Sequence, residues 1–145
     1  MTSWRDSVPV AVQEDLDGLF NVALDAASEF LAKNGEFFPF GFSVDDDDDL
    51  AMFDADPCLG EHPPSTEVLR MLWHGARADR AQLRAVAFTT DVSLRDGGDA
   101  LRIQLEHREG AVLEIHVPYR RRRPGGKLTL GDMSVSDGHA QVWAD

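Results

Sequence analysis

The chain contains 145 residues, and its 26 acidic and 14 basic side chains give it a formal net charge of −12. This length predicts one domain over residues 1–145, and a single cysteine, Cys58, excludes an internal disulfide framework. The acidic balance argues against nucleic acid as a partner, and the lack of a leader-like start or long apolar run predicts a cytoplasmic protein that does not bind membranes.

The first predicted element is a long helix. Its apolar residues recur at intervals of three and four, which is typical of a helix with one buried face. Ser7 and Pro9 suit its start, and Gly35 suits its end. Gly18 interrupts the helix at a cost of about 1 kcal/mol, so we expect another element to pack closely there. The apolar positions are Val12, Leu16, Leu19, Phe20, Ala23, Ala27, Phe30 and Leu31.

A hairpin is predicted next. Residues 38–44 alternate between larger apolar and smaller side chains, which indicates a strand, and residues 50–53 supply its partner after an acidic loop. The pairing that keeps the apolar side chains together is Val44 with Leu50 and Phe42 with Met52.

A second helix is predicted from Ser65 to about Gln82. Ser65 is a suitable N-cap, and Glu67 lies in the first turn, where the helix dipole favours a negative charge. The predicted buried face consists of Val68, Leu69, Leu72, Trp73, Ala76 and Leu83.

Three antiparallel strands follow, joined by two turns. Asp96-Gly97 is a strong signal for a two-residue turn, and Arg108-Glu109-Gly110 suits a three-residue turn with glycine in the left-handed region. Centring the strands on these turns pairs Val92 with Leu101, Thr90 with Ile103, Phe88 with Leu105, then Leu105 with Leu113, Ile103 with Ile115 and Leu101 with Val117. The polar face then carries the rows Asp91–Arg102–His116 and Thr89–Gln104–Glu114.

The predicted fold class is α+β. The element order is α-β-β-α-β-β-β, with an antiparallel sheet of about five strands and both helices packed on one of its faces. A further hairpin is possible from residues 128–135 and 140–143 across Ser136-Asp137-Gly138. This order resembles that of profilin-like and roadblock-type domains. Two short segments, Phe37-Phe38-Pro39-Phe40 and residues 105–110, resemble segments of small bacterial α+β proteins. This resemblance implies no activity.

The acidic loop is the first candidate site. Residues 1–60 carry fourteen acidic and two basic side chains and so hold the whole net charge. Clustered carboxylates can bind calcium, and Asp45, Asp47, Asp49 and Asp56 match loop positions one, three, five and twelve of an EF-hand. Leu50 stands where that loop needs glycine, so we favour a solvated turn and expect no metal. The loop consists of Asp45, Asp46, Asp47, Asp48 and Asp49.

The polar sheet face is the second candidate site. A carboxylate beside an imidazole can transfer protons, which would suit a small-molecule-binding domain or a weak hydrolase. An open sheet face excludes water poorly, so a solvated polar network is the favoured interpretation. His107 is predicted to be a structural histidine, and Cys58 is predicted to be inert because its charged neighbours are acidic. The candidate residues on this face are Arg102, Gln104, Glu114 and His116.

A basic cluster is the third candidate site. It could bind phosphate, it could contact the acidic half of the chain within a subunit or across a symmetric dimer, or it could be a plain solvated loop. We expect replacement of the cluster by alanine to weaken self-association in the dimer case. The cluster consists of Arg120, Arg121, Arg122 and Arg123.

The sequence therefore favours a non-catalytic protein–protein interaction module without a cofactor. Its partner would be a second copy of itself, in a homodimer, or another protein, in an adaptor or chaperone-like role. The first alternative is the small-molecule site on the polar face, whose ligand the sequence does not identify. A further alternative is an acidic immunity or inhibitor protein in which the acidic loop mimics the phosphates of a nucleic acid.

Overall fold

The structure, a computed structural model, describes residues 4–54, 64–121 and 128–144. The α+β class and the antiparallel sheet are confirmed, with seven strands in these ranges instead of about five. None of the helices described there is both long and apolar enough to cross a membrane. The elements are α1 (Val10–Asn34), β1 (Phe40–Asp45), β2 (Leu50–Phe53), α2 (Ser65–Ala78), β3 (Leu83–Ser93), β4 (Asp99–His107), β5 (Val112–Arg121), β6 (Leu128–Leu130) and β7 (Ser134–Asp137).

Helix α1 forms as predicted, with its apolar stripe against the sheet. It ends at Gly35, whose φ of 78° lies in the left-handed region and whose N–H donates to the Leu31 carbonyl at 3.0 Å. The close approach expected at Gly18 is wrong, because a Cβ there would have no atom within 4 Å. Gly18 faces outward and only weakens the helix. The buried residues of α1 are Val12, Leu16, Leu19, Ala23, Ala27 and Leu31.

The strands lie in the order β2-β1-β3-β4-β5-β6, and β7 also pairs with β5. Strands β6 and β7 therefore follow one another along the outer edge of β5. The predicted terminal hairpin is wrong, because neither of its halves pairs with the other. Residues 141–144 form no strand and instead cross a face of the sheet.

Two of the three predicted registers are confirmed. Val44 lies opposite Leu50 in the first hairpin, and Ile103 lies opposite Ile115 between β4 and β5. The β3–β4 register is wrong by one residue, because Leu101 faces Asp91 and not Val92.

The error lies in the turn between β3 and β4. The Leu94 N–H donates to the Gly98 carbonyl at 2.7 Å, which leaves three residues in the loop, not two. Gly97 closes it with a φ of 91°. The next turn has the same form, with Gly110 at a φ of 107°. Both hairpins thus use a three-residue loop that ends in a left-handed glycine.

The shifted register turns β3 over and explains why the helices lie on opposite faces. Ala85 and Ala87 face α1, whereas Val86 and Phe88 face α2. Successive side chains of a strand point to opposite sides, so the expectation that both helices cover one face is wrong. Helix α2 covers the second face with Val68, Leu69, Leu72 and Ala76, and it ends at Ala78, before the short 3-10 turn Arg80–Gln82.

Two glycine substitutions should change stability in opposite directions. Gly18→Ala should raise the free energy of unfolding by about 0.5–1 kcal/mol, since it adds a better helix former in open space. Gly41→Ala should lower it by about 1–3 kcal/mol, because its Cβ would overlap the ring of Phe53. Urea denaturation of both variants measures the effect, and a destabilised Gly18→Ala would contradict the placement of that residue.

Candidate functional site

The acidic loop is a tight turn that its first residue organises. Asp45 Oδ1 accepts the backbone N–H groups of Asp47 at 2.9 Å and Asp49 at 3.0 Å. The Asp48 N–H donates to the Asp45 carbonyl at 3.1 Å, and Asp48 has a φ of 63°. Aspartate tolerates this left-handed conformation better than most residues. Part of the acidic run is therefore explained by turn geometry.

Two arginines bind the same loop, Arg84 from β3 and Arg108 from the turn after β4. Arg84 lies 2.6 Å from Asp48, and Arg108 lies 2.7 Å from Asp46. The hydrogen bond from Arg108 holds the pKa of the Asp46 carboxyl below its usual value. The acidic loop thus has basic partners within its own chain, in residues that the sequence analysis did not connect with it.

Arg84 also joins the loop to helix α1 and to His107. Its Nε and Nη2 donate to the two carboxylate oxygens of Asp15, both at 2.9 Å. His107 Nε2 lies 2.8 Å from Asp15 Oδ2, and the Glu109 N–H donates to His107 Nδ1 at 3.1 Å. Since Nδ1 accepts that bond, the Nε2 proton points to Asp15. Both ring nitrogens are engaged, which agrees with the predicted structural role of this histidine.

The environment of Asp15 shifts its titration. Burial acts to raise the pKa of Asp15, but the hydrogen bonds from Arg84 and His107 outweigh it and leave that pKa below its usual value. The same contacts with Asp15 and Asp48 raise the pKa of Arg84. The group is therefore a charged structural clamp between α1, the acidic loop and β3.

Three carboxylates of the loop approach one another on its outer side. Oxygen atoms of Asp45, Asp47 and Asp49 lie within 4.8 Å of each other. Asp45 already uses Oδ1 for two backbone N–H groups, and Asp56, the fourth predicted ligand, lies outside the described residues. The expectation of a solvated turn without metal stays a prediction.

The polar sheet face is present, but both β3 members of its predicted rows are replaced. Arg102 lies opposite His116, and Gln104 lies opposite Glu114, as predicted. The register of β3 places Thr90 beside Arg102, so the predicted pair with Asp91 is wrong. Asp91 lies on the α1 face, where its Oδ1 accepts the Tyr119 hydroxyl at 2.7 Å.

Arg102 has a different acidic neighbour. Its Nε lies 3.9 Å from Glu114 Oε1, which is too long for a hydrogen bond. Gln104 lies beside Phe88 of β3, and not beside Thr89 as the predicted row had it. Arg102, Gln104, Glu114 and His116 therefore share one face, as predicted.

Several buried polar atoms on this α2-covered face have no hydrogen-bond partner among the described residues. They are Thr90 Oγ1, Arg102 Nε, Gln104 Oε1 and, from the helix itself, Trp73 Nε1. Buried polar atoms are usually paired, because leaving one unpaired costs about 1–3 kcal/mol. These atoms hold unused hydrogen-bonding capacity.

Glu106 is the residue that sequence reasoning missed. It lies on the same face with 4% exposure, and its carboxylate binds three consecutive backbone N–H groups of residues 141–143. An acidic residue in an alternating strand normally marks a solvent-facing position, so only the tertiary structure reveals this contact.

A groove lies between α2 and the first hairpin. It encloses about 350 Å³ and is lined by Met71, Gly75 and Phe53, with Asp54 and Asp79 at polar positions. None of the four candidate residues of the polar face lines it.

The basic cluster is described only in part. Arg120 is exposed near the end of β5, and Arg121 is the last residue of that strand. Arg122 and Arg123 lie outside the described residues, as does Cys58. Contact between the cluster and the acidic half stays a prediction.

Comparison of the chain with protein-family models, curated proteins and solved structures gives no match in any of the three. The resemblance to profilin-like and roadblock-type domains therefore rests on element order alone. A fold-level likeness carries no function, so the functional argument depends on the geometry of this chain.

Removing the Asp15 carboxylate should destabilise the protein strongly. Asp15→Asn should lower the free energy of unfolding at neutral pH by about 2–4 kcal/mol, because Arg84, whose side chain is 19% exposed, loses its bidentate carboxylate partner and keeps only the exposed Asp48. Asp17→Asn is the matched control on the same helix, since the Arg5–Asp17 pair has 45% exposed side chains and its loss should have a much smaller effect.

Asp15→Asn should also change how the free energy of unfolding depends on pH in the acidic range. A lowered folded-state pKa stabilises the protein above the unfolded value of about 3.9, and this contribution is lost as the pH falls through the folded-state pKa. The difference between wild type and Asp15→Asn should therefore shrink as urea titrations move from pH 7 towards pH 2. A constant difference would contradict a charged role for Asp15.

Proposed function

We propose that this protein is a cytoplasmic, non-catalytic interaction module that self-associates through the outer edge of its sheet. Its role would be that of an adaptor or a chaperone-like partner. The observation that carries the proposal is a group of exposed apolar side chains along this edge. We call this group the outer edge patch, and it consists of Leu130, Met133 and Val135, with exposures of 42%, 54% and 43%.

The patch lies beside unpaired backbone. Leu130 is opposite Tyr119 and Val135 is opposite Ile115, so both side chains lie on the α1 side of the sheet. In the part of the chain that the structure describes, no strand pairs with the outer sides of β6 and β7. Exposed apolar edge strands are prone to pair with other chains unless charge or a covering element protects them. A second copy would bury both the side chains and the free edge.

The contacts of His107 fit a structural role for this histidine. Both ring nitrogens of His107 are engaged, so its partnership with Asp15 does not leave a free base. The arginines that meet the acidic loop stabilise the fold, since Arg84 and Arg108 tie the loop to β3 and to the end of β4.

A charge in the outer edge patch should break self-association. Met133→Lys is expected to weaken the dimer at least tenfold, because burying an ammonium group in an apolar interface is unfavourable. Analytical ultracentrifugation over a concentration series measures the effect. Met71→Lys is the matched control, because Met71 is 40% exposed on α2, on the opposite face of the sheet.

Two results would contradict this proposal. One is a wild-type chain that remains monomeric at every concentration. The other is a dimer that Met71→Lys disrupts and Met133→Lys does not, which would place the interface at the groove between α2 and the first hairpin.

A second candidate function is small-molecule binding on the polar face. The unpaired atoms of Thr90, Arg102 and Gln104 favour it, since a polar ligand would satisfy them. These groups offer both donors and acceptors, and Arg102 would favour an anionic ligand.

A thermal-shift screen of metabolites and nucleotides tests this candidate. A ligand at 100 times its dissociation constant adds about 2.7 kcal/mol, which should raise the melting temperature by about 5–10 °C. Thr90→Val should reduce that shift, whereas Thr89→Val, which removes a buried unpaired hydroxyl from the other face, should not. A shift that both variants retain equally would place the ligand elsewhere.

A further inference from the structure

Residues 141–144, which we call the strap, contact the sheet much as a bound peptide would. The Glu106 carboxylate accepts the N–H of Gln141 at 2.7 Å and the N–H of Trp143 at 2.6 Å. The N–H of Val142 lies 3.1 Å from Oε1 and 3.0 Å from Oε2. Charged acceptors make stronger hydrogen bonds than neutral ones, so this one buried side chain anchors the amide side of the strap.

Helix α2 and the turn after it bind the carbonyl side of the strap. Arg80 Nη1 donates to the Val142 carbonyl at 3.1 Å and to the Ala144 carbonyl at 3.2 Å. Arg77 Nη2 donates to the same Ala144 carbonyl at 2.9 Å. The strap therefore has its amides on a carboxylate and its carbonyls on two guanidinium groups.

One side chain of the strap is fully buried. Val142 has 0% exposure and packs in the cluster that joins α2 to β3, with Val86 and Phe88. Trp143 packs against the edge of the same cluster. The remaining recognition is directed at the backbone, which bends at residues 141–143 so that three successive N–H groups converge on one carboxylate.

We propose that this cleft, formed by Glu106, Arg77, Arg80 and the apolar cluster around Val86, is a peptide-binding site that exchanges its own strap for the strap of a second copy. An identical chain supplies an identical ligand, so exchange keeps every contact and requires only that the connection opens. Such swapping is a route to dimers that needs little new surface.

The position of the connection supports a second copy as the occupant. The strap leaves β7 through residues 138–140, three residues that can span up to about 10 Å when extended. His139 and Ala140 in this connection are exposed. Since β7 carries Val135 of the outer edge patch, a copy docked along that edge would lie beside this connection, from which the strap passes to the α2 face. To this extent the inference rests on the proposed function.

A pair of complementary full-length variants tests the exchange. Glu106→Gln impairs the receptor and keeps an intact strap, whereas Val142→Gly impairs the strap and keeps an intact receptor. Only the mixture can place an intact strap in an intact receptor. We expect the 1:1 mixture, measured by ultracentrifugation with one variant fluorescently labelled, to associate at least tenfold more tightly than either variant alone.

The controls separate this inference from the proposed function. Association through the outer edge patch alone would be equal in the two variants and in their mixture. The double variant Glu106→Gln/Val142→Gly mixed with Glu106→Gln lacks an intact receptor and should gain nothing. Far-ultraviolet circular dichroism verifies folding, and Val142→Ala replaces Val142→Gly if the glycine variant unfolds.

The outcomes are distinct. A mixture that associates no more tightly than its folded components overturns strap exchange, even if Met133→Lys still weakens the wild-type dimer. Complementation that persists with Met133→Lys in both chains supports the exchange and contradicts the need for the patch.

Discussion

Strand β3 is the part of the structure on which the rest depends, because it is covered on both faces. Residues 85–90 are all buried, with small side chains at Ala85 and Ala87 beneath α1 and larger ones at Val86 and Phe88 beneath α2. The small residues give the long helix room to lie close to the sheet. The large ones form a second, smaller core. Without β3 in the centre, neither helix would have a complete surface to cover.

This double burial also explains which predictions from sequence succeeded. Strands with one apolar face specify their own register, and the pairs Val44–Leu50 and Ile103–Ile115 followed from alternation alone. In β3 both sets of side chains are apolar, so periodicity did not choose a face. The predicted register of β3 therefore depended on the turn alone. Asp96-Gly97 predicted a loop of two residues, whereas the loop has three. Because the predicted register was wrong by one residue, α2 was predicted on the wrong face of the sheet.

The candidate sites show a different limit. Alternation along β4 and β5 placed Arg102, Gln104, Glu114 and His116 on one face, because neighbours in a strand need no tertiary information. Contacts between distant segments were not predictable in this way. Arg84 and Asp15 are far apart in the chain, and no local pattern indicates that they meet. Glu106 had the position of an ordinary surface carboxylate, and its burial depends on a segment that forms no regular element.

The strap has a consequence for how the protein is made. The ribosome synthesises residues 141–144 after every element that they contact, so the receptor around Glu106 emerges before its occupant. During that interval Val86 and Phe88 lack the cover of Val142, and a buried carboxylate lacks its amides. Exposed apolar surface on partly synthesised chains favours binding to chaperones and aggregation. The strap thus covers apolar surface that a chain without it in place would expose.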